Sequence, residues 1–207
     1  MTTIVDLKQA IITGNREQAK ALTQQALDEG LEARAIVVNG IAAAMEVVGE
    51  KFRANEFFVP ELLIAQRAMK EALSMMSGAD VDHIGTVAIG TVKGDLHDIG
   101  KNLVAAMLEG AGFKVVDLGV DVSPEQFVTA AKENSAQVIA MSALLTTTMG
   151  SMRDTVQAIV AAGLGDSVKV MIGGAPVTQS YADEIRAHGY APDAASAVEK
   201  AKALVLQ

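Results

Sequence analysis

A short loop in this chain places an aspartate and a histidine at a spacing that suits metal chemistry. Asp95 and His97 lie two residues apart within residues 94–100. A carboxylate at this distance can accept one imidazole N–H, which leaves the other ring nitrogen free to bind a metal ion. The same residue types can equally form a surface hydrogen-bond cluster. Gly100, at the end of the loop, leaves room for a close approach by backbone or ligand.

The loop follows a run that reads as a strand and precedes a helical pattern. Strands are predicted near 86–92, 113–118, 137–142 and 168–172, with a short fifth near 189–191. The intervening helices are predicted near 100–111, 123–134, 149–162, 178–187 and 194–205. This alternation predicts a doubly wound parallel sheet with the strand order 2-1-3-4-5. In that order the loops after the first and third strands meet where the chain reverses, and such a crevice is where α/β folds bind ligands.

The first part of the chain reads differently. Residues 3–76 predict helices only, and four helices with short connections indicate a small antiparallel bundle. Pro60 marks the start of the fourth helix. The polar stretch 77–82 predicts the boundary between a helical domain at 1–78 and an α/β domain at 83–207.

Composition narrows the classes of partner. The chain has 207 residues and a formal net charge of −8, which argues against a nucleic-acid partner and gives no basic patch for a membrane surface. Cysteine is absent, so a disulfide or a cysteine-ligated metal is excluded. No apolar run reaches the roughly 20 residues of a membrane span, and the N-terminus lacks a signal-peptide pattern. These features predict a cytoplasmic protein.

Three motifs in order resemble the cobalamin-binding fingerprint of methionine synthase and the corrinoid proteins. They are Asp95-x-His97-x-x-Gly100, then Ser142-x-Leu144, then Gly173-Gly174. Residues 49–52 and 57–63 resemble the helical cap of the same family, so the resemblance spans nearly the whole chain. It implies a four-helix cap followed by a flavodoxin-like (Rossmann-like) five-stranded α/β domain that binds cobalamin in the base-off/His-on form.

The resemblance also implies roles for individual residues. His97 would bind the cobalt from below, Asp95 would hold its imidazole, and Thr148, where methionine synthase has serine, would continue the relay. Thr148 can instead be an ordinary loop residue or a helix cap. Ser142 would hydrogen-bond the benzimidazole of the nucleotide tail. The other predicted cofactor contacts are Asp98, Ile99, Gly100, Leu144, Thr146, Gly173, Gly174, Ala175, Tyr190 and, from the cap, Phe58.

A methyl carrier is the first function that the resemblance implies. Such a protein cycles between Co(I) and methylcobalamin, taking the methyl group from a substrate-specific methyltransferase. It passes the group to a corrinoid:acceptor methyltransferase that serves tetrahydrofolate or a thiol cofactor, and a reductive activation protein restores Co(I). The chain has no separate substrate-pocket motif, so we expect a shuttle rather than a complete enzyme.

Two other functions share the fingerprint. A subunit of an adenosylcobalamin-dependent mutase generally lacks the helical cap, so residues 1–76 count against it. A cobalamin-based sensor or gene regulator usually adds a DNA-binding domain, and no basic recognition segment is visible here. The sequence leaves open the oligomeric state, the methyl acceptor and the methyl donor, which can be a methylamine, methanol, a betaine or a methoxylated aromatic.

Overall fold

The computed structural model describes residues 2–76 and 83–206. The chain divides into two compact units, one of Met1–His83 with Glu109–Gly112 and one of Ile84–Leu108 with Phe113–Gln207. The predicted boundary at 77–82 lies outside the described residues. The domain limits 1–78 and 83–207 therefore stay a prediction.

The first unit is helical, as predicted. Its helices are α1 (Thr2–Ile12), α2 (Arg16–Asp28), α3 (Ala33–Ile36), α4 (Ala43–Arg53) and α5 (Val59–Ser74). A six-residue π-helix, Val37–Ala42, joins α3 to α4, so that the predicted third helix runs on from Ala33 to Arg53 with one wider segment inside it. Helix α1 contacts α2, α4 and α5. The side chains that these helices bury together include Leu7, Ile11, Ile41, Met45, Leu62 and Met69.

Helix α5 begins with backbone chemistry that fits its sequence. The helix begins at Val59, one residue before the predicted start, so Pro60 is its second residue. Proline has no N–H, and no N–H partner is needed at this position. Glu61 accepts a hydrogen bond from the backbone N–H of Phe58 at 2.8 Å. The residue before the helix, Phe58, is thereby fixed in an extended conformation.

The second unit contains a five-stranded parallel sheet. The strands are β1 (Thr86–Thr91), β2 (Lys114–Asp117), β3 (Val138–Ser142), β4 (Lys169–Gly173) and β5 (Gly189–Tyr190), and their order is β2-β1-β3-β4-β5. This confirms the predicted sheet and its order. The helices between and after them are α6 (Ile99–Gly110), α7 (Pro124–Glu133), α8 (Gly150–Ala161), α9 (Gln179–Ile185) and α10 (Ala194–Val205).

The core of this unit forms where helices pack on the sheet. Apolar residues of β3 and β4 meet α7 and α8, and the largest fully buried side chains there are Phe127, Ile139, Met152, Ile159 and Ile172. Ser123 and Gln126 form a reciprocal capping box at the start of α7, with Ser123 N–H donating to Gln126 Oε1 at 2.8 Å. None of the helices in the described part of the chain is long and apolar enough to cross a membrane.

Candidate functional site

Strand register brings the three sequence motifs to one edge of the sheet. Thr91 of β1 pairs with Ser142 of β3, and Ser142 pairs with Gly173 of β4. Because these strands are parallel, their following loops leave the sheet on the same side. Asp95 and His97 therefore lie close to the loop after β3 although about 50 residues separate them along the chain.

The carboxylate of Asp95 is the centre of this arrangement. It is fully buried and accepts five hydrogen bonds from described residues. Its Oδ1 takes the backbone N–H of His97 at 3.1 Å and lies 2.7 Å from His97 Nδ1. Its Oδ2 takes the backbone N–H groups of Leu144 and Leu145 at 2.8 and 3.2 Å.

Thr148 completes the set of donors. Its hydroxyl donates to Asp95 Oδ2 at 2.8 Å, and Leu145 O lies within reach of the same hydrogen, also at 2.8 Å. Thr148 is buried and precedes α8, which begins two residues later. The added methyl group, compared with serine, does not keep the hydroxyl from the carboxylate.

These contacts determine the charge of Asp95 and the tautomer of His97. Burial alone would raise the pKa of Asp95, but the hydrogen bonds from His97, Leu144 and Thr148 outweigh it and hold the pKa well below its usual value. An ionised carboxylate only accepts hydrogen bonds, so Nδ1 of His97 must carry the proton. In the neutral ring Nε2 then keeps its lone pair, and the side chain is 51% exposed.

The site fits a cobalt corrinoid in its choice of donor. The described residues contain no group of three or more His, Cys, Asp or Glu that could hold a metal ion. His97 Nε2 is a single nitrogen donor without a protein partner in residues 2–76 and 83–206. A corrinoid brings most of the ligands of its cobalt with it, so a single nitrogen donor such as His97 would suffice as the contribution of the protein.

Space beside His97 also fits a large planar ligand. A Cβ built on Gly100 would meet no atom within 4 Å. Leu96 and Ile99, on either side of His97, are 71% and 75% exposed. Exposed apolar side chains of this size are well suited to cover an apolar ligand face.

The two other glycines are explained by the packing of the protein itself. Gly174 has φ +130°, and an added Cβ would lie 1.9 Å from Ala143 O. A Cβ on Gly173 would lie 2.9 Å from Ala191 O. Both positions therefore need glycine for the close approach of neighbouring loops, whatever ligand binds there. Ser142, half-buried between these strands, makes no side-chain hydrogen bond within the described part of the chain.

The remaining predicted contacts are spread over both units. Asp98 accepts a hydrogen bond from Asn102 Nδ2 at 3.0 Å. Thr146 and Ala175 are exposed in the loops after β3 and β4, Leu144 is 44% exposed, and Tyr190 is half-buried in β5. Phe58 is 60% exposed and belongs to the helical unit. Their roles towards a cofactor stay predictions.

Several residues at the site were not singled out by the sequence analysis. Leu145 contributes a backbone N–H, which no side-chain motif reveals. Asp121 accepts from Gly94 N–H at 2.7 Å, and buried Lys101 donates to Asp117 at 2.6 Å. A lysine in the first turn of a mostly apolar helix was the available signal for the second contact.

Known proteins match along the whole chain. The B12 binding domain family matches residues 85–199, and a second B12 binding domain family matches residues 4–76. A trimethylamine corrinoid protein of Methanosarcina barkeri is 44% identical over 206 residues, covering 97% of this chain and 95% of that protein. A corrinoid protein of Desulfitobacterium hafniense (strain Y51) is 40% identical over 212 residues, covering 99% and 98%.

A solved structure agrees with these sequence matches. The methanol:cobalamin methyltransferase complex MtaBC from Methanosarcina barkeri contains a chain that superposes with a TM-score of 0.89 at 29% identity, covering 99% of this chain and 80% of that one. Both the helical unit and the α/β unit are included in this coverage. The chain therefore belongs to the corrinoid proteins built from B12 binding domains.

Proposed function

We propose that this protein carries a methyl group on the cobalt of cobalamin between two methyltransferases, with His97 as the lower ligand. The observation that carries the proposal is the pairing of a half-exposed imidazole with a buried, ionised carboxylate. Because the chain belongs to the corrinoid proteins, we take its cofactor to be cobalamin. The names of the relatives, a trimethylamine corrinoid protein and a methanol:cobalamin methyltransferase complex, support methyl transfer.

The residues of the chain hold and orient rather than react. Bound cobalamin supplies a cobalt ion that accepts a methyl group and gives it up. His97 presents the Nε2 lone pair to it, while Asp95 keeps the proton on Nδ1 and fixes the rotation of the ring. The half-exposed side chain leaves Nε2 of His97 without a partner among the described residues.

Asp95 links this ligand to the loop that would hold the nucleotide tail. The N–H groups of Leu144 and Leu145 bind one carboxylate oxygen, and His97 binds the other. A shift of the loop after β3 would change the hydrogen bonding of the Asp95 carboxylate. It would thereby change the electrostatic potential at His97. We propose that Ser142, whose hydroxyl has no partner among the described residues, hydrogen-bonds the tail, and that Gly100 leaves the space the cofactor needs.

The partners follow from the same proposal. One methyltransferase would load the carrier, a second would unload it, and a reductive activation protein would restore the cobalt after oxidation. The complex formed by the structural relative supports a methyltransferase partner. A cytoplasmic location, predicted from the sequence, is consistent with such soluble partners and stays a prediction.

Nitrogen isotopes test the ligand directly. The protein is reconstituted with cobalamin, reduced to Co(II) and studied by electron paramagnetic resonance. Coordination by His97 should split each cobalt line into a triplet with natural nitrogen and a doublet after 15N-histidine labelling. His97→Ala should abolish this splitting and give a base-off visible spectrum with weaker cofactor retention. A triplet that survives 15N-histidine labelling would exclude a protein histidine as the ligand.

Transfer itself is tested with methyltransferases, which are sought among the genes next to the one for this protein. Loaded with cobalamin, it should accept methyl groups from one neighbouring methyltransferase and release them to another, and His97→Ala should slow this transfer. Binding of adenosylcobalamin with no acceptance of methyl groups would favour a mutase subunit or a sensor instead.

A further inference from the structure

The connection between β2 and α7, residues 118–123, runs beside the His97 loop, which we define as residues 93–98. Asp121 makes two hydrogen bonds to this loop. Its Oδ1 accepts the backbone N–H of Gly94 at 2.7 Å, and its own N–H donates to Asp95 O at 3.0 Å. Asp121 adopts the left-handed conformation with φ 55°, which aspartate and asparagine tolerate better than most residues.

A second contact reaches the chain on the other side of His97. Lys101, in the first turn of α6, donates to both oxygens of Asp117 and to Asn102 Oδ1, each at 2.6 Å. Asn102 in turn donates to Asp98 Oδ2 at 3.0 Å. The side chain of Lys101 is only 2% exposed, so its charge depends on Asp117 for compensation.

The connection is itself fixed to the sheet. Thr91 N–H donates to Gly119 O, and Val122 N–H donates to Thr91 O, both at 3.0 Å. Gly119 N–H donates to Asp117 Oδ1 at 2.9 Å. Both acidic side chains therefore project from backbone that is held against the end of β1, and a rigid support of this kind is what a precisely placed ligand requires.

We propose that Asp121 and the Lys101–Asp117 pair are positioning residues that set where His97 presents its Nε2. Asp95 fixes the rotation of the imidazole and ties its loop to the chain after β3. The Thr91 hydroxyl, which donates to His97 O at 2.9 Å, holds the His97 backbone itself. Asp121 holds the loop before His97, and Lys101 holds the helix turn after it. This inference rests on the proposed function, and it assigns the three residues no contact with the cofactor.

Two variants of Asp121 separate the hydrogen bond from the backbone conformation. Asp121→Gly keeps the left-handed conformation and loses the acceptor, whereas Asp121→Asn keeps both. In the protein without cobalamin, Asp121→Gly should speed hydrogen exchange at the Gly94 amide by roughly tenfold, with the Ala191 amide as an unaffected control. With cobalamin bound, the equilibrium constant for His97 coordination should fall by a similar factor. This constant is obtained from the fraction of the Co(II) signal that shows nitrogen splitting. Asp121→Asn should resemble the wild type in both measurements.

The second contact is tested without leaving a buried charge. The double variant Lys101→Met with Asp117→Leu replaces the ion pair by apolar side chains, which proteins often accept without loss of stability. This double variant should lower the equilibrium constant for His97 coordination, whereas its thermal unfolding transition should stay cooperative. This variant also decides the case if Asp121→Gly does not fold.

The outcomes separate the two hypotheses. Normal nitrogen splitting in both Asp121→Gly and the double variant would overturn the positioning role, and so would an equal loss in Asp121→Asn and Asp121→Gly. Absence of the splitting in the wild-type protein would overturn the proposed function instead. In that case the Gly94 exchange rate still shows whether Asp121 holds the loop.

Discussion

Asp95 is surrounded by donors that come from two separate stretches of chain. His97 is a local donor, whereas Leu144, Leu145 and Thr148 lie 49 to 53 residues away in sequence. A carboxylate with this many donors is stabilised in its charged form even though it is buried. The proton that His97 shares with Asp95 therefore resides on the imidazole, and the carboxylate acts as a fixed charge.

Asp95→Asn tests that fixed charge through stability. The amide nitrogen of asparagine donates and cannot accept, yet it must face the donors from His97 or those from Leu144 and Leu145. We therefore expect the free energy of unfolding at pH 7 to fall by about 3 kcal/mol. The folded-state pKa of Asp95 is depressed, so its stabilising contribution is present above the unfolded value of about 3.9 and is lost as the pH falls below it. Denaturant unfolding at several pH values should show the variant and the wild type converging in acid.

Asp166→Asn is the matched control for this experiment. Asp166 is exposed in the turn before β4, so the same change of charge should leave the free energy of unfolding nearly unaltered. Equal stability of Asp95→Asn and the wild type at pH 7 would contradict the hydrogen-bond arrangement described above.

Among the elements, the motif glycines occupy two kinds of position that a sequence motif treats alike. Gly174→Ala should cost at least about 3 kcal/mol, because the Cβ would collide with Ala143 O and the backbone has φ +130°. Gly100→Ala should instead stabilise the cofactor-free fold by about 0.5–1 kcal/mol, since it lies in α6 with open space around it. Thermal unfolding measures both effects.

Cobalamin affinity then distinguishes the function of Gly100. If its open space admits the cofactor, Gly100→Ala should bind cobalamin more weakly than the wild type despite its higher stability. Unchanged affinity would show that the glycine serves only the backbone.

The contact between His188 and strand β4 makes the stability of the fold depend on pH. His188 Nδ1 accepts the N–H of Val170 at 3.0 Å, and burial followed by the Lys169 charge holds the pKa of His188 below its usual value. Its stabilising contribution is therefore complete above the unfolded value of about 6.5 and declines as the pH falls through the folded pKa. His188→Ala should lower the melting temperature at pH 8, and its difference from the wild type should shrink by pH 5.5.

His83→Ala serves as the control, because His83 is exposed before β1. The two variants share every other titrating group, including His97. If His83→Ala changed the pH dependence as much as His188→Ala, the contact with Val170 would not be its cause.

The sequence predicted elements better than it predicted contacts between them. The alternation of strand and helix patterns located the five strands, and the helix predicted near 123–134 corresponds to α7. The π-helix at Val37–Ala42 follows no local pattern, because its residues also suit an α-helix. His188 is exposed, and its bond to Val170 depends on the pairing of β4 with β5, which no local pattern shows. Lys101 was missed for the same reason, since its partner Asp117 belongs to another element.

At the scale of the whole molecule, the helical unit offers an exposed aromatic side chain for the proposed function. The resemblance of residues 57–63 to the helical cap of the family predicts that Phe58, which is 60% exposed, shields the cobalt–methyl bond. Phe57 is half-buried, with the Lys51 ammonium 5.2 Å from its ring centroid. Phe58→Ala should therefore quicken photolysis of the methylated protein without lowering its melting temperature.

Phe57→Ala provides the comparison. It removes packing and a cation–π contact, so it should lower the melting temperature. Decay of the methylated cofactor at the wild-type rate in folded Phe58→Ala would count against the shielding role.

The long sequence separation of the donors to Asp95 has a consequence for folding. A peptide of residues 93–100 has none of the contacts from Leu144, Leu145 and Thr148, so the full set of donors to Asp95 exists only after β1 and β3 pair. Sheets with such non-local pairing form slowly, because closing the long loops lowers the chain entropy before the stabilising contacts form. A cofactor that binds only the folded chain then draws the folding equilibrium towards the native state by mass action. The supply of corrinoid in a cell would thus influence how much of this protein persists, as well as how much of it is loaded.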